Sequence, residues 1–267
     1  GVLPNGKAVI VNADGTVSVV AETSFSEATG SATVFESADS ENIAITFDSN
    51  LNKIVIAFRD TGNSNYGTAI VGTVSSNSIS FGTAVVFESA ATESIAATFD
   101  TNSNKVVLCY KDSGNSSRGT SIVGTVSGTG ISFGSAVVFD TSTASDLSAT
   151  FDTDTNKVIF AYQQGGTNTG RAVVGAVSGT NISFGSTVAF DSAGGGWISV
   201  TYDSSASKVV IAFTDDSNSY GTAIVGTVSG TAISFGTKVV FESASSRYMS
   251  AAYDSSNNKV VIGYADL

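Results

Sequence analysis

Short runs of apolar residues follow one another along the whole chain, and groups of Gly, Asn, Ser and Asp separate them. Between residues 94 and 139 the runs predict four strands, A at 94–99, B at 105–110, C at 119–126 and D at 131–139. Their short period and turn-rich boundaries are typical of strands, and the helical i, i+3, i+4, i+7 spacing occurs nowhere. The pattern therefore predicts an antiparallel sheet of four strands.

This four-strand pattern occurs five times along the chain. A Phe followed by an acid marks each repeat, at spacings of 52, 52, 51 and 51 residues: Phe35-Glu36, Phe87-Glu88, Phe139-Asp140, Phe190-Asp191 and Phe241-Glu242. A second aromatic residue with an acid moves in step: Phe47-Asp48, Phe99-Asp100, Phe151-Asp152, Tyr202-Asp203 and Tyr253-Asp254. A lysine lies five residues after each of these second acids: Lys53, Lys105, Lys157, Lys208 and Lys259.

Strand B is nearly continuous in apolar residues, as in Ile54-Val55-Ile56-Ala57-Phe58, so neighbouring sheets must cover both of its faces. Repeats of about 50 residues with four strands each are typical of β-propellers, whose blades pack face to face. We therefore predict a single all-β domain over residues 1–267, a five-bladed β-propeller with four antiparallel strands per blade. The blades are approximately 36–87, 88–139, 140–190 and 191–241, with a last blade of 242–267 completed by 1–35.

The two ends of the chain are expected to share that last blade. The final repeat stops at Leu267, just after its strand B, and lacks strands C and D. Residues 7–12 and 16–20 predict two strands on either side of an Asp14-Gly15 turn, and these supply the missing pair. Closure by strands from both termini removes open sheet edges. Because the chain begins with Gly1 rather than Met, we expect a fragment or a processed product.

Two stretches resemble known propeller blades. Tyr253-Asp254-Ser255-Ser256-Asn257-Asn258-Lys259-Val260-Val261-Ile262 is similar to the D-x-x-x-N-K-V-x-V stretch of YVTN-type blades, in which the strand before the Asp is innermost. The run GTAIVGTVSGTAISFG at 221–236 resembles amplified blades in tail-fibre and surface proteins of marine phages and bacteria. The resemblance implies a blade fold and, by analogy, an adhesin-like or fibre-associated module.

Composition excludes several classes of function. Twelve Lys and Arg against 23 Asp and Glu give a net charge of −11, which repels nucleic acid and anionic lipid headgroups, so neither is an expected partner. With no His and a single cysteine, Cys109, the chain lacks a disulfide framework, a Cys/His zinc site and an imidazole base. No apolar run is long enough to span a membrane. We expect no cofactor and no metal.

Most acids belong to the repeat itself. The acids that end strand A precede Asn-rich turns, where an Asp side chain accepts backbone N–H groups, and each faces its lysine across a hairpin. The acids that follow strand D, Glu36 and its four copies, are expected to form local hydrogen bonds at the D–A turn. A cation site formed by these five carboxylates near the channel mouth is the alternative.

The residues that break the repeat lie in the D–A and B–C loops, which emerge on one face if strand A is innermost. The D–A loops end on Asn42, Ser94, Asp146, Trp197 and Tyr248, and the B–C loops carry Tyr66, Arg118, Thr169 and Tyr220 before a closing Gly. Aromatic and polar diversity on a rigid scaffold favours a recognition surface, with neutral variation as the alternative. The predicted ligand-binding residues are Trp197, Tyr248, Tyr66, Tyr220, Arg118, Arg247, Asn42 and Asp146, and no catalytic or metal-binding residue is expected.

These features predict a non-catalytic binding or adhesion module rather than an enzyme. Its expected partner is a glycan or another cell-surface receptor, with other virion or fibre proteins as further partners, at an extracellular or virion surface. A purely structural ornament without a ligand is the alternative. A glycosidase is the least favoured hypothesis, because the mouth carboxylates are near-equivalent copies and glycoside hydrolysis needs two carboxyl groups in unlike surroundings.

Overall fold

The computed structural model describes residues 9–11, 17–19 and 30–267. They belong to two parts, one within Gly1–Ala32 and one spanning Thr33–Leu267. In the first part, β1 (Val9–Val11) and β2 (Val17–Val19) pair antiparallel, with Ile10 opposite Ser18. The predicted pairing of these N-terminal strands is therefore confirmed, while Asp14, Gly15 and Phe25 lie outside the described residues. The described residues include no helix long and apolar enough to cross a bilayer.

The second part consists of strands joined by turns and two short 3-10 segments, Thr61–Asn63 and Ser113–Asn115. The strands that follow β2 are β3 (Ser40–Asp48), β4 (Lys53–Asp60), β5 (Tyr66–Ser75), β6 (Ser78–Phe81), β7 (Val85–Asp100), β8 (Lys105–Asp112), β9 (Arg118–Ser127) and β10 (Gly130–Phe133). Next along the chain are β11 (Val137–Asp152), β12 (Lys157–Gln164), β13 (Thr169–Ser178), β14 (Asn181–Phe184) and β15 (Val188–Asp191). The remaining strands are β16 (Gly195–Asp203), β17 (Lys208–Asp215), β18 (Tyr220–Ser229), β19 (Ala232–Phe235), β20 (Val239–Asp254) and β21 (Lys259–Asp266).

Each of the first four repeats forms the predicted antiparallel order A-B-C-D. In the second repeat, the end of β7 pairs with β8, β8 with β9, and β9 with β10 and the start of β11. Strand D is thus split in two, because β10 ends at Phe133 and β11 begins at Val137, with Gly134 at the start of the break. The last repeat in this part of the chain contributes the A–B pair formed by β20 and β21.

The segments predicted as D–A loops are mostly extended strand, which corrects the loop assignment. Strands β7, β11 and β20 each run for 16 residues from the D position of one blade into the A position of the next. These segments keep backbone partners along their length, since Thr92 N donates to Asn65 O at 3.1 Å and Ala144 N donates to Ser117 O at 3.2 Å. Both acceptors lie in B–C loops, so the D–A and B–C segments meet at one end of the blades, as predicted.

The core lies where the B strands are covered on both faces. The aromatic residues that end strand B in the middle blades, Tyr110, Tyr162 and Phe213, are fully buried. They pack at tilted or edge geometry against the Phe residues that end strand D, with Phe139 and Tyr162 centroids 5.3 Å apart. Burying each such ring stabilises the fold by roughly 1.5–3 kcal/mol. Copies of one aromatic framework therefore hold neighbouring blades together.

The acids that end strand A form the predicted turns. Asp100 Oδ1 accepts hydrogen bonds from Asn102 N at 2.9 Å and Ser103 N at 3.0 Å, and Asp48, Asp152, Asp203 and Asp254 bind their own turns in the same way. Each acid also pairs in register with its lysine, as Asp48 does with Lys53. The Lys53 ammonium, however, donates to Thr73 Oγ1 at 2.8 Å on strand C. These acids and lysines belong to the framework of the blade.

Candidate functional site

Strand A of every repeat carries a β-bulge at the same place in its pairing with strand B. The first residue of each bulge has a positive φ between 48° and 56°: Asn42, Ser94, Asp146, Trp197 and Tyr248. The second bulge residue is always apolar: Ile43, Ile95, Leu147, Ile198 and Met249. The residues that sequence comparison selected as most variable therefore share one unusual backbone conformation.

This conformation is costly for bulky side chains. Asn and Asp adopt left-handed φ more readily than other residues, whereas Trp197 and Tyr248, at φ 51° and 56°, each carry a strain of roughly 1–2 kcal/mol. Strained residues of this kind cluster at functional sites, and bulges commonly re-aim side chains there. The bulges of the third to fifth blades are thus the first place to search for a site.

A cavity of about 340 Å³ opens at these bulges. Its lining consists of the two bulge residues from each of three consecutive blades: Asp146, Leu147, Trp197, Ile198, Tyr248 and Met249. Ile198 and Met249 are buried, whereas Trp197 and Tyr248 keep 39% and 62% of their surface exposed. The cavity therefore has an apolar base and an accessible aromatic and acidic upper part.

Two aromatic rings form one wall of this cavity. The centroids of Trp197 and Tyr248 lie 4.3 Å apart, with the ring planes tilted by 57°. Asp146 accepts a hydrogen bond from the backbone N–H of Trp197 at 3.1 Å through Oδ2, which ties the third blade to the fourth. Asn42 does the same for Ser94 N at 3.0 Å in the first two blades. The geometry places a carboxylate beside exposed aromatic faces.

A second carboxyl group, Asp216, lies near Asp146 and was not predicted from the sequence. Asp216 follows the end of β17, where the other blades have Thr61, Ser113, Gly165 and Leu267. Its backbone N–H donates to Gly194 O at 3.2 Å, and its Oδ2 accepts a hydrogen bond from Gln163 Nε2 at 3.2 Å. The signal was present as the doublet Asp215-Asp216, an acid without a counterpart in any other repeat.

Asp146 and Asp216 lie close together in unlike surroundings. A β-carbon added to Gly196 would lie 3.5 Å from Asp146 Oδ2 and 3.6 Å from Asp216 Oδ1, so these two oxygens are within about 7 Å of each other. Asp216 remains solvent-exposed, yet partial desolvation raises its pKa, and the carboxylates of Asp146, Asp215 and Asp191 raise it further. Asp216 therefore keeps its proton to a higher pH than an aspartate in water does.

The five acids that follow strand D form local hydrogen bonds, as predicted. Glu36 Oε1 accepts from Ser37 N at 2.7 Å and Ala38 N at 3.0 Å, and Asp140, Asp191 and Glu242 accept backbone N–H groups two residues on. Tyr110 and Tyr162 donate their hydroxyls to Glu88 and Asp140 at 3.1 Å and 2.7 Å. Within residues 30–267, no cluster of three or more acids or cysteines has the arrangement of a metal site.

The remaining predicted ligand-binding residues do not line this cavity. Tyr66, Arg118 and Tyr220 begin the C strands and pair with Asp60, Asp112 and Asp215 at the ends of the B strands. Arg247 is exposed next to Tyr248 and pairs with Ala265, while Asn42 belongs to the bulge of the first blade. Of the eight predicted residues, Asp146, Trp197 and Tyr248 line the cavity together.

A charge cluster of one lysine and two buried aspartates lies in the fourth blade. Lys238, which replaces Ala84, Ala136 and Thr187 of other repeats, donates to Asp191 Oδ2 at 2.7 Å and Asp215 Oδ2 at 2.6 Å. The side chains of these acids are only 2% and 3% exposed. The fourth blade has Phe213 where Tyr110, Tyr162 and Tyr264 donate to the equivalent acid, so Lys238 replaces the missing hydroxyl.

Lys238→Met is therefore expected to lower the free energy of unfolding by about 2 kcal/mol at pH 7, because it leaves two buried carboxylates without a cation. Lys238 is 40% exposed, which keeps the loss below that of a fully buried pair. Although burial opposes ionisation, hydrogen bonds from Lys238 and Ser217 hold the pKa of Asp215 below its usual range. The interaction of Lys238 with Asp215 thus stabilises the fold fully above the unfolded-state pKa of Asp, about 4. This stabilisation is lost as pH falls through the folded-state pKa of Asp215.

Urea denaturation of wild type, Lys238→Met and Lys208→Met between pH 3 and pH 7 measures this effect. Lys208 is a framework lysine whose Nζ donates to Thr227 Oγ1 at 2.8 Å, and its substitution controls for loss of a surface cation. We expect the difference between wild type and Lys238→Met to shrink towards pH 3. A difference that does not change with pH would contradict the assignment.

Comparison with known proteins identifies the fold. No family model and no curated protein sequence matches the chain. The structure is similar to an exo-beta-1,3-galactanase from Phanerochaete chrysosporium solved with beta-1,3-galactotriose, at 8% identity and a TM-score of 0.55, covering 90% of this chain and 63% of that one. An exo-beta-1,3-galactanase from Clostridium thermocellum matches at 10% identity and a TM-score of 0.53, covering 96% and 57%. A protein of unknown function from Dyadobacter fermentans matches at 9% identity and 0.51, covering 85% and 90%.

The fold is thus the all-β, five-bladed β-propeller that the repeats predicted. The chain spans less than two thirds of each galactanase. The expectation of a non-catalytic adhesion module that is not an enzyme is wrong, because the similar propellers include glycoside hydrolases. Its premise also fails in the structure. The near-equivalent carboxylates of the repeat are not the only acids at this end of the blades, because Asp216 differs from all of them.

Proposed function

We propose that this propeller hydrolyses glycosidic bonds at the cavity formed by the bulges of its third to fifth blades. The observation that carries the proposal is the pair Asp146 and Asp216, two carboxyl groups within about 7 Å in unlike surroundings and beside exposed aromatic rings. Glycoside hydrolysis uses carboxyl groups separated by roughly 5 to 9.5 Å, one protonated and one ionised. The similarity to galactanase propellers supports the same class of reaction.

The surroundings of the two acids assign their roles. Asp216, whose pKa is raised, keeps its proton at higher pH and donates it to the leaving glycosidic oxygen. Its Oδ2 is occupied by Gln163 Nε2, which leaves Oδ1 facing Asp146. Asp146 as the carboxylate accepts a proton from water while the water oxygen bonds to the anomeric carbon and the C–O bond to the leaving group breaks. Asp216 ends ionised and Asp146 protonated, and exchange with solvent restores both.

The aromatic wall would hold the sugar ring for this reaction. The C–H groups of a pyranose pack on aromatic faces, and Trp197 and Tyr248 present 39% and 62% of their surface beside the acids. None of the six lining residues is a cation, so the cavity favours an uncharged glycan over an anionic one.

We also propose a setting for the reaction at an extracellular or virion surface. The resemblance of the blades to repeats of tail-fibre and surface proteins supports this location, and a surface glycan is then the substrate. Other fibre or virion proteins are the proposed partners in such an assembly.

Release of reducing ends from neutral polysaccharides, including β-1,3-galactan, tests the function. We expect turnover by the wild type, and we expect Trp197→Ala to raise KM about tenfold through loss of about 1.4 kcal/mol of stacking. Tyr66→Ala is the matched control, because Tyr66 lies outside the lining of the cavity. Absence of turnover on every neutral glycan, or equal effects of the two substitutions, would contradict the proposal.

A further inference from the structure

The residue of strand B that pairs with the position just before the bulge differs in every blade. Its five copies are Arg59, Lys111, Gln163, Thr214 and Ala265. In the first blade Arg59 forms an ion pair with its register partner, Glu41, at 3.1 Å. In the second blade Lys111 does the same with Glu93 at 2.8 Å. The first two copies therefore place a positive charge at this end of the blade.

A cation at this position also acts on the next blade. The hydrogen bond from Lys111 is the main reason that the pKa of Glu93 lies below its usual range, and burial opposes it. The charge of Arg59, in the preceding blade, lowers the pKa of Glu93 further. The third blade departs from this pattern, because Gln163 and its register partner Ser145 are both neutral. The third blade thus brings no cation from this position to the acids of the fourth.

The side-chain amide of Gln163 connects the third blade to Asp216 of the fourth. Its Nε2 donates a hydrogen bond to Asp216 Oδ2 at 3.2 Å, and its Oε1 lies 3.5 Å from Ser145 Oγ in its own blade. A protonated carboxyl group accepts hydrogen bonds at its C=O oxygen and carries the proton on the other oxygen. A donor at Oδ2 therefore places the proton on Oδ1, the oxygen on the side of Asp146.

The charges around Asp216 explain why a neutral donor matters. Partial burial raises the pKa of Asp216, and three carboxylates raise it further: those of Asp146, Asp215 and Asp191. The Lys238 ammonium is bound to Asp191 and Asp215, at 2.7 and 2.6 Å. A lysine or arginine at position 163 would favour the ionised form of Asp216, because an opposite charge within about 4–6 Å lowers the pKa of an aspartate. The amide holds the same oxygen without adding that charge.

We infer that Gln163 is a positioning residue that holds Asp216 through a neutral amide, so that Oδ1 keeps the proton on the side of Asp146. The inference rests on the proposed function for the use of that proton in hydrolysis, and it adds the residue that prepares the acid. Gln163 does not line the cavity, so it acts through Asp216 and not on the sugar directly.

Carboxyl ¹³C NMR tests this arrangement without any substrate, and Asp216→Asn identifies the Asp216 signal. The variants are Gln163→Lys, Gln163→Met and the control Ala206→Lys, whose new cation lies before the start of β17, about 25 Å from Asp216. We expect the titration midpoint of Asp216 to fall by about one pH unit in Gln163→Lys and by less than about 0.2 pH unit in Ala206→Lys. Gln163→Met removes the donor without adding a charge, so the midpoint should stay the same or rise.

Turnover of a neutral glycan gives a second measurement. In Gln163→Lys, the loss of turnover with rising pH should begin about one pH unit lower than in wild type. In Gln163→Met we expect kcat to fall about tenfold and KM to change less than about twofold, because the acid loses its orientation while the aromatic wall is unchanged. Melting temperatures within about 2 °C of wild type show that the variants are folded.

The outcomes separate this inference from the proposed function. If the wild type hydrolyses a glycan, an unchanged Asp216 midpoint in Gln163→Lys or a wild-type kcat in Gln163→Met would overturn the role of Gln163 and uphold hydrolysis. No turnover by the wild type, together with a midpoint that falls in Gln163→Lys and not in the other variants, would contradict hydrolysis and uphold the arrangement of Gln163 and Asp216. An equal fall of the midpoint in Ala206→Lys would overturn that arrangement.

Discussion

Asp216→Asn is expected to lower turnover of a neutral glycan by about 10²- to 10⁴-fold, the usual contribution of a general acid. The amide keeps the size of the side chain and the contact with Gln163, but it cannot give up a proton at neutral pH. Steady-state rates of reducing-end release measure the loss. Asp39→Asn, at an exposed acid outside the cavity lining, is the matched control and should change turnover less than twofold.

The stability of Asp216→Asn distinguishes a catalytic role from a structural one. A carboxyl group whose pKa is raised by folding favours the folded chain when protonated, and this contribution is lost as pH rises through the folded-state value. Once the pH exceeds this folded-state pKa, the ionised Asp216 is crowded by Asp146, Asp215 and Asp191, so its replacement by Asn should there leave the melting temperature unchanged or higher. Loss of turnover together with a melting temperature lowered by several degrees would instead place Asp216 in the framework.

The pH dependence follows from the same cause. Protonated Asp216 is the active form, so turnover by the wild type should fall as pH rises through the raised pKa of Asp216. Asp146→Asn removes one of the charges that raise this pKa, and Asp216 should then titrate at lower pH, as measured by carboxyl ¹³C NMR. An unchanged titration of Asp216 in Asp146→Asn would show that the two groups do not interact.

The fold was predictable because the repeat compares every framework residue with its own copies. Phe139 and its equivalents, the turn acids such as Asp100, and the apolar B strands recur in each blade, and the ring pairs of the middle blades pack with similar geometry. Because the same pattern occurs five times, the strand assignment does not depend on the secondary-structure propensity of any single segment. The D–A segments were mistaken for loops because their sequences are polar. Their strand structure depends on backbone hydrogen bonds, such as Thr92 N to Asn65 O, which the sequence does not show.

The site was only half predictable from the sequence. Comparison of the blades identified Asp146, Trp197 and Tyr248. These residues occupy one backbone position in each repeat, so the differences between their side chains are visible in the sequence. The bulge itself has no sequence signature, since left-handed φ usually requires Gly or Asn and here occurs at Trp and Tyr. Asp216 escaped notice because its importance lies in its distance from Asp146 in the neighbouring blade, which no single repeat encodes.

Gly134→Ala is expected to lower the free energy of unfolding by about 3 kcal/mol, because its β-carbon would lie 2.1 Å from the backbone oxygen of Thr180 in the next blade. A backbone atom cannot move aside as a side chain does, so the blades must separate. Gly82 and Gly185 make the same contact with Thr129 and Thr231. Gly130→Ala is the matched control, since its nearest contact is 3.7 Å from Ser127 O and a change within about 0.5 kcal/mol is expected. Equal denaturation midpoints for the two variants would contradict this account of blade packing.

Gly236→Ala extends the test to the predicted closure of the last blade. Gly236 is the fourth copy of this glycine, and among the described residues its β-carbon would meet only Val225 O at 3.8 Å. In the other three blades the partner is the Thr of a Gly-Thr turn, and the sequence has a Gly-Thr pair, Gly15-Thr16, at the turn that it predicts between the two N-terminal strands. If that turn completes the last blade, as the sequence predicts, Gly236→Ala should destabilise the protein by about 3 kcal/mol, as Gly134→Ala does. If the N-terminal strands lie elsewhere, Gly236→Ala should instead match the Gly130→Ala control, and the two-ended closure would be disproved.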